Sequence, residues 1–234
     1  MKTSLIVSSL LIAGLASPLA AAADTFSVNV GAIGVMPNDD SGSLPVIESI
    51  AGLDAGSTGV TVDENTQLGI TFDYRLSPNW SLELVAATPF THEIHGTGAI
   101  DGLKIGETKH LPPTLLAQYH FTLDNDAIDP FIGFGVNYTT FFEEKVSPEL
   151  GGVLTDLAVI TADDDVELAL SNSWGFALQA GVNIELADNW GLHLMVSRMA
   201  IDTVADVRIN GATAESVAVD IDPTVAMFGI RYSF

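Results

Sequence analysis

The chain has 234 residues, no cysteine, and 30 Asp and Glu against 8 Lys and Arg, for a formal net charge of −22. Such acidity excludes a nucleic-acid binder, which needs a basic footprint, and the lack of cysteine excludes a disulfide-stapled scaffold. Hydrophobic residues make up 47 % of the chain, yet no stretch approaches the roughly 20 continuous apolar residues of a membrane helix.

Lys2, the apolar run Leu5–Leu15 and the small residues Ala20–Ala23 form the pattern of a secretory signal. Residues 1–23 therefore read as a signal peptide, and 24–234 as one exported domain. A segment alternating with period 2 follows at once. Over Phe26–Met36, Phe26, Val28, Val30 and Ala32 oppose Ser27, Asn29 and Gly31. Gln67–Leu76 is clearer: Leu68, Ile70, Phe72, Tyr74 and Leu76 lie on one face, Gln67, Gly69, Thr71, Asp73 and Arg75 on the other. Trp80–Phe90, Leu111–Thr122, Phe131–Phe142, Ser173–Leu186 and Trp190–Ile201 repeat the pattern. The eighth segment ends the chain, with Ala226, Phe228, Ile230, Tyr232 and Phe234 opposed by Gly229, Arg231 and Ser233. Each reads as a strand with one greasy and one wet or small-residue face.

The connections alternate in length. Ser77-Pro78-Asn79, Asp124–Asp129 and Ala187-Asp188-Asn189 are short polar turns. Segments 37–66, 91–110, 143–172 and 202–219 read as long acidic loops. Trp80, Trp190, Tyr74, Tyr119, Phe121, Tyr232 and Phe234 gather on the apolar face near the short-turn end, as in the aromatic girdle of a lipid-facing barrel. A lipocalin-like soluble barrel is the alternative for the same alternation, and the aromatics favour lipid. The expectation is an all-β fold: an eight-stranded antiparallel up-and-down transmembrane β-barrel, with short periplasmic turns and long extracellular loops. Its place is the outer membrane of a Gram-negative bacterium, in contact with lipid and lipopolysaccharide. The aromatic C-terminal strand is expected to engage the barrel assembly machinery.

Several motifs carry a family likeness. They are Gly34-Val35-Met36-Pro37-Asn38-Asp39-Asp40-Ser41, Asn79-Trp80-Ser81-Leu82-Glu83-Leu84, Ala86-Ala87-Thr88-Pro89-Phe90 and Lys109-His110-Leu111-Pro112-Pro113-Thr114-Leu115-Leu116-Ala117-Gln118-Tyr119. Asn137-Tyr138-Thr139-Thr140-Phe141-Phe142, Ser173-Trp174-Gly175 and Ile221-Asp222-Pro223 continue it to the end. In this order the chain resembles the outer membrane protein W (OmpW) family over essentially all of its exported part. The resemblance implies an eight-stranded barrel that passes small hydrophobic compounds, with receptor roles for phage or colicins in some members.

Sorting the inward face by depth separates two zones. Asn29, Asp73, Arg75, Glu83, Gln118, His120, Asn183, Glu185, His193 and Arg231 fall toward the periplasm. An eight-stranded barrel has room only for side chains or one small ligand, so these form a polar plug. Arg75 and Arg231 are expected to be neutralised by Asp73, Glu83 and Glu185. Ile33, Val35, Val85, Ala87, Leu116, Met195 and Met227, with Met199 and Val225, fall nearer the loops and form an apolar funnel, the expected solute path. Pro37, Pro89, Pro112 and Pro113 lie near the outer strand ends. Proline cannot donate to a ladder, so these four mark an expected lateral opening into the membrane.

Other chemistry finds little support. His92-Glu93-Ile94-His95 lacks the spacing of a helical zinc site. Asp163-Asp164-Asp165 with Glu167 lacks the spacing and glycine of a calcium loop. No catalytic constellation, cofactor motif or metal site stands out, and no enzyme is expected. Two functions remain: passage of small hydrophobic solutes, or a structural or receptor barrel whose acidic loops bind ligands, phage or cations.

Overall fold

The structure is a computed structural model and describes residues 25–161 and 163–234. The expected signal peptide lies outside the described residues. The chain rises through β1 (Phe26–Met36), passes β2 (Asp40–Ser41), helix α1 (Pro45–Ala51) and β3 (Thr58–Val62), and descends as β4 (Asn65–Ser77). It climbs again through β5 (Trp80–Ala87) and β6 (Phe90–Gly98), then returns through β7 (Lys104–Leu111) and β8 (Thr114–His120). The 19-residue β9 (Ile128–Val146) rises the full height and leads into α2 (Pro148–Asp156) and β10 (Val166–Leu170). β11 (Ser173–Ala187) descends and β12 (Trp190–Met199) ascends. A hairpin of β13 (Asp202–Ile209) and β14 (Ala212–Asp220) stands above, and β15 (Thr224–Ser233) descends to the end.

Eight of these strands close a barrel in the order β11-β12-β15-β1-β4-β5-β8-β9, with β9 returning to β11. Closure removes sheet edges, so the backbone within lipid is hydrogen-bonded. The chain ends meet along β1 and β15, from Ser27 opposite Ser233 to Met36 opposite Thr224. All eight sequence segments that alternate are these eight strands. The alternation sets Phe176 at 77 % and Trp174 at 74 % exposed, while Glu83 and His193 on inward faces are at 0 %. Only a lipid solvent makes such an outward face favourable.

The periplasmic girdle is built from aromatic pairs on neighbouring strands and at the C-terminal end. Trp80 meets Tyr119 at 5.2 Å between ring centroids, Trp190 meets Tyr232 at 4.8 Å, and Tyr232 meets Phe234 at 4.9 Å. At the other end of the apolar band Tyr138 packs on Trp174 at 4.7 Å. The Asn-Trp turns act alike: the amides of Asn79 and Asn189 donate to the carbonyls of His120 and Ser233 on the neighbouring strand.

The four segments read as loops are largely ordered. β7, β6 and β3 extend one wall of the barrel outward from the upper half of β9, and β10, β13, β14 and β2 form a second sheet. These strands also alternate, but their outward residues face water. β6 buries Phe90, His92 and Ile94 while turning Glu93 outward, and β14 buries Val217 and Val219 against outward Ser216 and Asp220. Charged outward positions made these strands look like solvated loops. Lys104–Glu93, Lys109–Glu143 and Lys145–Glu107 ion pairs, at 2.6, 2.6 and 2.8 Å, decorate that face.

Candidate functional site

The lower lumen is filled by a cross-barrel polar network. Arg231 on β15 donates from Nη1 to Asp73 Oδ2 on β4 at 2.6 Å and to Asn29 Oδ1 on β1 at 3.1 Å. Its Nη2 donates to Ser27 Oγ at 3.0 Å. Glu83 on β5 accepts at Oε2 from the amides of Gln118 and Gln179, at 2.8 and 2.7 Å. His193 Nε2 lies 3.6 Å from the other Glu83 oxygen. Phe131 completes the layer by stacking on the His193 ring at 5.7 Å. Gly181 makes room for it, because a Cβ there would meet Phe131 Cζ at 2.4 Å.

Of the three expected carboxylates only Asp73 pairs with an arginine. Glu83 accepts from Gln118 and Gln179 and forms an ion pair with neither arginine among the described residues. Arg75 pairs with Asp129, at 2.8 Å, and not with Asp73, Glu83 or Glu185. Glu185 is exposed and stands outside the plug: it points inward by parity but sits below the packed layer, at the periplasmic opening. Asp129, Gln179 and Phe131 were missed. Gln179 lies on the wet face of its segment, and stepping back by twos from Gly133 reaches Phe131 and Asp129, so the same alternation contained all three.

Above the plug, Ile33, Val85, Leu116, Met195, Met199, Val225 and Met227 are each at most 5 % exposed. They form a packed apolar floor. An open space, the outer vestibule, lies higher than the sequence places the funnel. A cavity of about 800 Å3, counting its open mouth, is enclosed by barrel-top residues such as Val35, Pro37 and Phe141, by Ile94 and Ile105, and by Leu168, Val217 and Val219 of the second sheet. Of the expected path residues only Val35 borders it. Ile33, Val85 and Ala87, with Val35, border a smaller space of about 250 Å3 lower down. Leu116, Met195 and Met227 border neither.

The helices pack on the outer rim. The Val46 and Ile47 N–H groups of α1 donate to Glu215 Oε2 on β14, at 2.9 and 3.1 Å. A carboxylate at a helix start satisfies donors that the helix itself leaves open. Glu48 is buried and accepts from Gly56 N–H, Thr58 N–H and the Thr58 hydroxyl. The Gly56 backbone bond and the Thr58 hydroxyl hold its carboxyl below the usual range. Ile47 and Ile50 of α1 then face Leu150 and Leu154 of α2.

One seam in the wall is open. β5 pairs with β8 up to Val85 opposite Thr114, and pairing between β6 and β7 begins at Phe90 opposite His110. Between these points Ala86–Pro89 face Leu111–Pro113, and no ladder pair joins them among the described residues. Each side stays bonded to its other neighbour: Thr88 N–H donates to Leu68 O, and Tyr138 N–H donates to Pro113 O. The smaller cavity touches the seam through Ala86, Ala87 and Pro112. Pro37 is elsewhere. The β1 edge continues past it, with Asn38 N–H donating to Ile221 O.

The metal readings find different geometry. Asp164 accepts from Thr161 and Asn210 and so stabilises its own turn. His92 faces the vestibule, while His95, Glu93 and Asp63 bring ligand atoms within 4.8 Å of one another on the outer surface.

The OmpW family profile matches residues 22–234. Outer membrane protein W of Vibrio cholerae is 38 % identical over 89 % of this chain and 88 % of its own length. The Escherichia coli protein of that name is 36 % identical over 93 % and 92 %. The crystal structure of OprG from Pseudomonas aeruginosa superposes with a TM-score of 0.76 at 36 % identity, covering 91 % of this chain and 96 % of that one. With the closed barrel and its lipid-facing band, this places the protein in the outer membrane, and the chain belongs to the OmpW family.

Proposed function

We propose that this protein admits small hydrophobic molecules through the outer vestibule and releases them sideways into the membrane through the seam between β5/β6 and β7/β8. The observation that carries this reading is the open ladder beside a cavity whose straight path is blocked. Continuous descent would require the packed floor and the charged plug to open together. A solute that leaves at Ala86–Pro89 avoids both and never meets water.

The test is uptake of the apolar fluorophore N-phenyl-1-naphthylamine by cells lacking the protein, with and without the gene restored at equal folded levels. Uptake should rise with the wild type. It should fall in the Pro89→Ala/Pro112→Ala/Pro113→Ala variant, which restores three donors to the seam. Uptake independent of the protein would end this reading. Uptake that persists in the triple variant would remove the lateral exit.

A second reading rests on Asp63, Glu93 and His95, whose ligand atoms converge on the outward face. A divalent cation there would bridge to lipopolysaccharide phosphates. Cation-dependent retention of lipopolysaccharide, lost in Asp63→Asn/Glu93→Gln, is its check.

A further inference from the structure

The vestibule lining is mainly apolar. Glu215 and Thr203 on the second sheet already bond Val46, Ile47 and Ser171, and the polar groups left open stand on one wall, just above the seam. There Phe90, His92, His110 and Phe141 form a stack. The His92 and His110 rings lie 4.8 Å apart and 15° from parallel, and Phe90 lies 5.4 Å from His110. His92 and His110 are 2 % and 6 % exposed, and Thr139 is 0 % exposed. All three border the cavity.

Their polar atoms are unsatisfied. His92 Nε2, His110 Nε2 and Thr139 Oγ1 are buried without a hydrogen-bond partner among the described residues. For His92 the tautomer follows from its other nitrogen. Nδ1 meets the Asp63 carbonyl oxygen, which can only accept, so Nδ1 carries the proton and Nε2 presents a bare lone pair. Burial and the neighbouring His92 push His110 down to about 3, and burial also lowers His92. Both rings are therefore neutral near pH 7, and the wall carries no positive charge for an anion. Buried polar atoms left open cost stability, and a ligand donor would relieve that cost.

We infer that His92, His110 and Thr139 form a polar recognition point in the vestibule, selecting apolar solutes that carry a single hydrogen-bond donor such as an alcohol or phenol hydroxyl. This inference rests on the vestibule reading above and specifies its substrate class. The solute's apolar body lies against the aliphatic lining. Its hydroxyl donates to His92 Nε2, while His110 and Thr139 bracket the oxygen. The point lies directly above the opening at Pro89 and Pro112, so the hydroxyl is released as the solute moves into the seam.

The test uses the full barrel in lipid nanodiscs, with protein-free nanodiscs as reference, and a matched pair of probes: 1-naphthol and naphthalene. Wild type should bind 1-naphthol roughly tenfold more tightly than naphthalene, the scale of one net hydrogen bond. His92→Phe/His110→Phe keeps the stacked rings and should bring 1-naphthol down to the naphthalene level, with naphthalene binding unchanged. Thr139→Val removes only a hydroxyl and should lower the preference by about threefold. In the 15N-histidine spectrum, the His92 Nε2 resonance should move with 1-naphthol and stay fixed with naphthalene. Equal wild-type affinity for both probes, or a preference that survives in the double variant, overturns the recognition point and leaves the vestibule reading standing. Binding of neither probe overturns both.

Discussion

The lower and upper halves of the lumen are built by the same strands with the same alternation, and they obey opposite rules. Along β5, Ser81 and Glu83 give way to Val85, and along β15, Arg231 gives way to Met227 and Val225. Below, charged groups meet partners across the barrel, because an unpaired charge in a narrow dry lumen is prohibitive. Above, Val85, Val225 and Met227 pack into an apolar floor, and the open space lies higher still, between the barrel top and the second sheet. The lower half is thus a structural plug, and the vestibule above the packed floor has the open volume on which the transport proposal rests.

The contrast can be broken most forcefully at Asp73. Asp73→Ala leaves the Arg231 guanidinium buried without its carboxylate and should cost about 3–5 kcal/mol, read as a lower urea midpoint of the refolded barrel. Glu185→Ala should change that midpoint by less than about 0.5 kcal/mol, since the side chain is exposed. Next comes the floor. Leu116, 1 % exposed, should cost about 2–5 kcal/mol when cut to Ala, measured in the same way. A smaller effect is expected for Arg75→Ala. The side chains of its pair with Asp129 are 27 % and 22 % exposed, and solvent screening limits the loss to about 1 kcal/mol.

The smallest expected effect is in the outer layer and depends on pH. Glu48 is depressed below its ordinary 4.5 in the folded state. Its contribution is therefore present above that value and is lost as pH falls through the folded-state value. Amide protection factors at Gly56 and Thr58 should drop between pH 5 and 3, while protection in β1 and β15 holds. Glu48→Gln should remove the pH dependence.

Much of this was legible in the residues, and the failures share one cause. Alternation states which face a side chain takes, so Arg231 and Asp73 both read as inward residues, and the structure pairs them. It does not state depth. Glu185 and Glu83 share inward parity, yet Glu185 lies at the open periplasmic end and Glu83 lies at the centre. The funnel was set one layer too low for the same reason: Leu116 and Val35 both point inward, but only the second lies above the packed floor. Alternation persists in β6, β7, β13 and β14, but water replaces lipid on their outer faces, and the contrast that marks a membrane strand disappears.

Period-2 patterning, turn residues and the aromatic ends were enough to specify eight strands, their faces and the membrane they cross, because each is a local consequence of backbone geometry and solvent. Pairing Arg75 with Asp129, opening the seam at Pro89 and Pro112, and leaving Nε2 of His92 and of His110 without a hydrogen bond among the described residues required the tertiary structure. Those contacts join residues distant in the chain, and only the strand registers decide which of them stand at the same height.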